Sequence, residues 1–396
     1  MPGFEIFSDE EKKEVNDVLN STVLMRYGFD GMRNGHWKAK ELEKALAKRM
    51  QSNYAHVVSS GTAALTVALA SAGVGAGDEV IMPTFTFVAS FESILAIGAV
   101  PILVDVDDTL TLDPEAVEKA ITPKTKVVMP VHMCGSMADL DKLKAICAKH
   151  SLLLLEDACQ AIGGTYKGAP LGSIGDLGCF SFDYVKTITC GEGGAVITNN
   201  KTYYENAHMY ADHGHDHIGM DRGAEAHPFL GYNFRISELN AAVGCAQLKK
   251  LDGILALQKR NFTILKNTLG QSDKVNFRRV PEGGVENYSF LNFYLPTHQL
   301  AKKAHKLFGE NGVDACFYWF DNNWHYYRKW EHLIHKTALG KLPHEVIDQL
   351  PDYNKTDFSS SDQWVSRNIS CLIKLGWSET EMQERANKML AVISAL

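Results

Sequence analysis

The chain has 396 residues, of which 45% are hydrophobic and 22% charged; this ordinary globular composition excludes disordered, collagen-like and low-complexity chains. Forty Lys and Arg stand against 47 Asp and Glu, a formal net charge of −7 that favours solubility and argues against a nucleic-acid-binding surface. A chain of this length buries about three-quarters of its unfolded surface, so its eight cysteines are not needed as staples.

None of those cysteines forms a C-x-x-C pair, and most sit in apolar runs such as "LKAIC" and "VGCAQL". A reducing cytoplasm is the expected setting. The first twenty residues are acidic and helix-like, without the apolar stretch of a signal peptide. No run of about 18 apolar residues calls for a membrane span.

From residue 52 to about 200 short apolar runs alternate with helical stretches. "YAHVVSS", "DEVIMP" and "VPILVDVD" read as strands, and "GTAALTVALASAGV" and "TFVASFESILAIGA" as the helices between them. "DPEAVEKAI", "KVVMPVHMC", "DLDKLKAICAKH" and "LLLLEDACQ" continue the alternation. Near-continuous apolar strands separated by helices imply a mostly parallel sheet covered on both faces. "LGCFSFDYVK" and "GGAVITNN" then read as consecutive strands around "CGEGG", so the sheet is expected to be mixed. A long helix starts near Ser237, and "VNFRRV", "SFLNFYLP", "QLAKKAHKLFGENG" and "VDACFYWF" follow as strand, strand, helix and strand. Ser378 and Glu381 form a capping box ahead of the final amphipathic helix. The expected fold class is α/β: a three-layer α/β/α large domain on a mostly parallel mixed sheet, with a smaller α+β C-terminal domain.

Three constellations could carry chemistry. "SSGTAAL" at 59–65 places small and hydroxylated residues where a strand hands over to a helix. Unsatisfied N–H groups and the helix dipole favour an anion there, although Ser59 or Ser60 could equally be a plain N-cap. No G-x-G-x-x-G follows a strand, so a nicotinamide-binding fold gets little support. Glu156 and Asp157 end a leucine-rich strand, where α/β sheets place ligand groups; a carboxylate buried there needs a cation or strong donors, and a structural ion pair would serve as well. Lys186 follows an aromatic strand and precedes a glycine-rich turn. It reads as an ordinary surface cation or, in an apolar setting, as a Schiff-base lysine. An anion site, a carboxylate and a lysine are together what pyridoxal phosphate requires.

The order SSGTAAL, PTFTFVAS, EDACQAIGG, CFSFDYVKTITCGEGGAVITNN and GYNFRISELNAA resembles the sugar aminotransferases of the aspartate-aminotransferase fold type (fold type I), over essentially the whole chain. The resemblance implies pyridoxal 5′-phosphate as cofactor, and two domains, a cofactor-binding one over 1–250 and a small α+β one over 251–396. Gly61, Thr62 and Ser181 would hold the phosphate, and Phe87 would stack on the pyridine ring. Asp157 would bond the ring nitrogen, Gln160 the phenolic oxygen, and Lys186 would be the catalytic Schiff-base lysine. Asn233 would reach the phosphate from the neighbouring subunit, which implies a homodimer with shared sites; the plain reading is a loop residue capping its own chain.

Two segments stand out from the family pattern. The loop "DHGHDH" carries His213, His215 and His217, and the run "CFYWFDNNWHYY" at 316–327 is strongly aromatic. The histidine spacing could suggest a metal, but a loop lining a sugar pocket, or simple solvent exposure, is the expected role and no metal is expected. With Arg222 and Trp319, these histidines are the substrate-binding candidates. The segments 212–227 and 316–328 contain only Arg222 and Arg328 as Lys or Arg, too little charge for a diphosphate. The expected acceptor is therefore the C8 aldehyde of 8-oxo-3-deoxy-manno-octulosonate, in lipopolysaccharide sugar synthesis, with a nucleotide-linked keto sugar as the alternative, and the resemblance implies glutamate as the amino donor.

Overall fold

The computed structural model describes residues 3–219, 222–341 and 343–396. Seven strands build the main sheet: β1 (Tyr54–Val58), β2 (Glu79–Pro83), β3 (Val100–Val104), β4 (Thr125–Val128), β5 (Leu153–Asp157), β6 (Leu177–Ser181) and β7 (Gly194–Thr198). Their order is β1-β7-β6-β5-β4-β2-β3. The run from β6 through β3 is parallel, and β7 is antiparallel to both β1 and β6. The sheet is thus mixed and mostly parallel, as the alternation of apolar runs and helices implies.

The helix Gly61–Ser71 is apolar nearly all round and almost entirely buried, the expected fate of a helix with no polar face. Its N-terminus follows the carboxyl end of β1, beside the ends of β5 and β6, and this end of the sheet gathers the candidate residues. Gly194, the first residue of β7, lies against that N-terminus: a Cβ there would stand 2.2 Å from the Ser60 carbonyl oxygen.

The long helix Glu238–Leu269 is capped by Ser237. Ala241, Cys245, Leu251 and Ile254 join one apolar cluster with residues of the main sheet, whereas Phe262, Leu265 and Leu269 join a second cluster with the C-terminal elements. The division expected at 250/251 falls inside this continuous helix, so the two units are proposed to share it. The C-terminal unit is an antiparallel sheet in the order 276–277, 290–294, 368–372 and 316–317, packed by the helices His298–Glu310 and Glu379–Ser394. The Ser378–Glu381 capping box is present. The inner strand Asn368–Leu372 and the helix Lys38–Arg49 do not stand out in the sequence pattern. No helix among the described residues is long and apolar enough to cross a membrane.

Candidate active site

Adjacent carboxylates on a strand point to opposite faces, and this separates Glu156 from Asp157. Glu156 is fully buried and accepts backbone N–H bonds from Gly172, Ile174 and Gly175 at 2.8, 2.6 and 2.6 Å, with His132 Nε2 at 2.8 Å. It holds the loop ahead of β6. Asp157 instead faces a cavity of about 280 Å³. Ser90 Oγ donates to Asp157 Oδ2 at 2.9 Å and is itself 2.7 Å from Thr86 Oγ1. The Cys159 N–H donates to Asp157 Oδ1 at 3.2 Å.

Gly61, Thr62, Phe87, Gln160, Ser181 and Lys186 line the same cavity. Ser60 is the N-cap, its Oγ accepting from Ala63 N at 3.0 Å. The plain capping reading is therefore correct, and it coexists with an open anion site, because the Gly61 and Thr62 N–H groups lie in the first turn and have no acceptor within the helix. A Cβ on Gly61 would stand 2.7 Å from Ser181 Cβ and 2.9 Å from its Oγ; only glycine lets that hydroxyl lie beside the helix N-terminus. Gln160 Oε1 accepts from Cys134 N at 3.0 Å, which leaves the N–H₂ end of the amide for a ligand. The ring of Phe87 is backed by Trp324, with centroids 5.4 Å apart and planes 13° from parallel. The set of donors, one carboxylate and one amine fits pyridoxal phosphate.

Lys186 sits in the loop after β6, its N–H donating to Asp183 O at 3.0 Å. Its carbonyl accepts from Gly3 N at 2.9 Å, and Phe4 stacks on Tyr184 at 4.7 Å. Among the described residues none pairs with Lys186 Nζ, which leaves the amine available for chemistry.

His325 is a cavity residue that sequence reasoning missed. Residues 324–327 pair with 84–88: Thr86 N donates to His325 O at 3.0 Å, Val88 N to Trp324 O at 2.9 Å and Tyr327 N to Thr84 O at 3.1 Å. That long-range pairing, invisible in either segment alone, carries the imidazole into the cavity. His325 Nδ1 lies 2.8 Å from Asn322 Oδ1. Burial, and then the charge of Lys186, pulls its pKa from 6.5 down to about 3. Protonation therefore favours the unfolded chain, so this contribution to stability is complete above pH 6.5 and is lost as pH falls toward 3. In denaturant titrations of cofactor-free protein between pH 6.5 and 4.5, His325→Gln is expected to flatten the acid loss by up to about 1.4 kcal/mol per pH unit. Equal slopes for the two proteins would refute it.

The substrate candidates lie elsewhere in the chain. Trp319 is buried, and its Nε1 donates to Ser370 Oγ at 2.6 Å. It packs 4.4 Å from the His325 ring, one ring behind the cavity wall. Around the fully buried Asp212 carboxylate, Arg222 Nη2 donates at 2.9 Å, Arg235 Nη1 donates to the other oxygen, and His217 Nε2 is 3.6 Å away. Burial alone would raise the Asp212 pKa, but hydrogen bonds from Arg235 and Arg222 hold it below the usual carboxylate range. His215 faces Glu225 at 3.1 Å and His213 is exposed. Among the described residues no three His, Cys, Asp or Glu side chains converge as metal ligands. His217 and Arg222 line a separate cleft of about 630 Å³ with Arg26, Lys40 and Lys44. Asn233 is exposed on the same loop system, bridged to Asp212 through the backbone. None of these loop residues lines the cofactor cavity of its own chain.

A strand-end cavity holding a carboxylate, a free lysine and an open helix N-terminus on this mixed sheet is the arrangement of fold type I enzymes. The chain belongs to the DegT/DnrJ/EryC1/StrS aminotransferase family, whose model matches residues 6–384. GDP-perosamine synthase of Caulobacter vibrioides is 41% identical over 222 residues, which are 56% of this chain and 58% of that protein. The match thus spans little more than half the length of that relative. Among solved structures, an aminotransferase from Psychrobacter cryohalolentis superposes with a TM-score of 0.84 at 27% identity, over 98% of each chain. 3-Amino-5-hydroxybenzoic acid synthase gives a TM-score of 0.83 at 30% identity, over 98% of this chain and 97% of that one.

Proposed function

We propose that this chain is a pyridoxal-5′-phosphate-dependent aminotransferase moving an amino group from glutamate to the C8 aldehyde of 8-oxo-3-deoxy-manno-octulosonate. The observation that carries the class is the shared cavity of Asp157, Lys186 and the Gly61–Thr62 helix N-terminus. Bound there, pyridoxal phosphate supplies an aldehyde for the amine and a pyridinium ring that draws off the electron pair left by the departing α-proton.

The chain's own residues do the rest. Gly61 and Thr62 N–H groups and the Ser181 hydroxyl bind the phosphate, and Phe87 covers the ring. Asp157, kept in place by Ser90 and the Cys159 N–H, holds a proton on the ring nitrogen. Gln160 donates its free N–H₂ to the phenolic oxygen. Lys186 Nζ takes the proton from the donor's α-carbon and returns it to the cofactor's aldehyde carbon. Asn233 acts from the partner subunit, so the working unit is a two-fold homodimer with shared sites. Sedimentation of the active enzyme is expected to give a dimer, and an active monomer would overturn that arrangement.

Two features support the sugar acid as acceptor. Lys186 is the single Lys or Arg lining the cavity among the described residues, and the histidine loop and aromatic run resemble those of 8-amino-3,8-dideoxy-manno-octulosonate transaminase. One carboxylate needs less charge than a diphosphate. The likeness to GDP-perosamine synthase favours a second reading, a nucleotide-linked keto sugar. In the deciding experiment the enzyme is loaded with amine from glutamate, freed of keto acid and offered each acceptor. Rapid return of the resting absorbance is expected with the oxidised octulosonate. Return only with a nucleotide-linked keto sugar keeps the class and replaces the substrate. We place the enzyme in the cytoplasm.

A further inference from the structure

The C-terminal sheet brings two cysteines face to face. Cys316 lies on its edge strand and Cys371 on the inner strand beside it, as direct cross-strand partners. Leu372 N donates to Ala315 O at 2.9 Å, which makes Cys316–Cys371 a non-hydrogen-bonded pair, where opposite Cα atoms approach to about 4.5 Å. That spacing lies inside the roughly 4.4–6.8 Å that a disulfide spans. The two Sγ atoms are in contact at 3.1 Å, and Arg385 Nη2 stands 3.7 Å from Cys316 Sγ.

The two thiols are not equivalent. Cys371 is fully buried, whereas Cys316 is partly exposed on an open cleft that also carries Lys302, Lys303 and Lys306. The hydrogen bond from Cys371 favours a Cys316 thiolate; burial opposes it and the Arg385 charge adds to it, with a net lowering of its pKa. Burial pushes the Cys371 thiol up. Thiolate character and exposure together mark an attacking cysteine, and a buried neighbour in contact marks a resolving one. Neither lines the cofactor cavity.

We propose that Cys316 and Cys371 are a site of reversible disulfide formation, closed by exchange with an anionic small-molecule disulfide of the oxidised-glutathione class. The Cys316 thiolate attacks one sulfur of the reagent, breaking its S–S bond and releasing one thiolate, which takes up the proton Cys316 has lost. Cys371 then gives up its proton and attacks the Cys316 sulfur, breaking the mixed disulfide and releasing the second reagent thiol. Two protein thiols lose two electrons, and one reagent disulfide becomes two thiols. Lys302 and Lys306 are paired with Asp321 and Glu310, and Lys303 is left to draw a negatively charged reagent to the edge strand. The bond staples the strand that leads into Trp319 to the strand that carries Ser370, its hydrogen-bond partner.

The test incubates the holoenzyme with oxidised glutathione, unfolds it, alkylates the remaining thiols and digests it without reduction. A cross-linked peptide joining Cys316 and Cys371, removed by dithiothreitol, is the expected result, with an intact mass lower by two hydrogens. Cys371→Ser is expected to stop at a glutathione adduct on Cys316, and Cys316→Ser to form neither product. Recovery of both cysteines in alkylated form, or a lasting glutathione adduct on Cys316 in the unsubstituted protein, overturns the proposal.

Discussion

Lys186→Ala is expected to abolish amino transfer, lowering the single-turnover rate with glutamate by at least about 10³-fold. The same side chain is asked to anchor the cofactor and to carry the proton, so no neighbour can substitute for either role. His325, the imidazole on the cavity wall, has its proton affinity drawn well below neutrality and is a poor proton carrier at working pH. Stability should change little, within about 0.5 kcal/mol, since no described residue pairs with the amine. Stopped-flow absorbance and thermal unfolding of the same preparation separate the two effects. A residual rate within tenfold of the parent enzyme would refute the assignment.

Gly194→Ala should be the most damaging single methyl group in the site. The added Cβ would meet Ser60 O at 2.2 Å, Ser60 C at 2.5 Å and Gly61 N at 2.9 Å. All three are backbone atoms that cannot rotate aside, so either β7 or the helix N-terminus must move. The expected cost is about 1–3 kcal/mol in stability, with at least a tenfold loss of pyridoxal-phosphate affinity as the Gly61 and Thr62 N–H groups are displaced. Gly253→Ala is the control. It is exposed on the long helix with nothing within 4 Å of its added Cβ and should stabilise by about 0.5–1 kcal/mol. Equal cofactor affinity in Gly194→Ala and the parent would show that the helix N-terminus does not hold the phosphate.

What the sequence made legible was local. β1 to β7 announce themselves because each is a short apolar run closed by polar or glycine residues, and Ser60, Gly61, Asp157, Ser181 and Lys186 stand at or just beyond such closures. Glu156 and Asp157 looked interchangeable until the pleat separated them. The inner strand "NISCL" at 368–372 was not legible, because two of its five residues are polar and the cross-strand partners of Ser370 are distant in sequence: its Oγ donates to Asn292 Oδ1 and accepts from Trp319 Nε1. His325 was missed for the same reason, its place being fixed by pairing with residues about 240 positions earlier in the chain. Trp319, chosen for its aromatic neighbourhood, turned out to spend its one polar atom on Ser370.

The contact between Gly3 and the carbonyl of Lys186 bears on how this protein is handled and on how it can change. Ahead of the helix Asp9–Ser21, Phe4 lies on Tyr184 and the Glu5 carboxylate receives Leu375 N and Gly376 N, both at 2.8 Å. Residues 3–5 thus brace the loop bearing Lys186 and tie it to residues 375–376. Removing residues 3–8 would loosen the Lys186 loop from behind without touching the cavity.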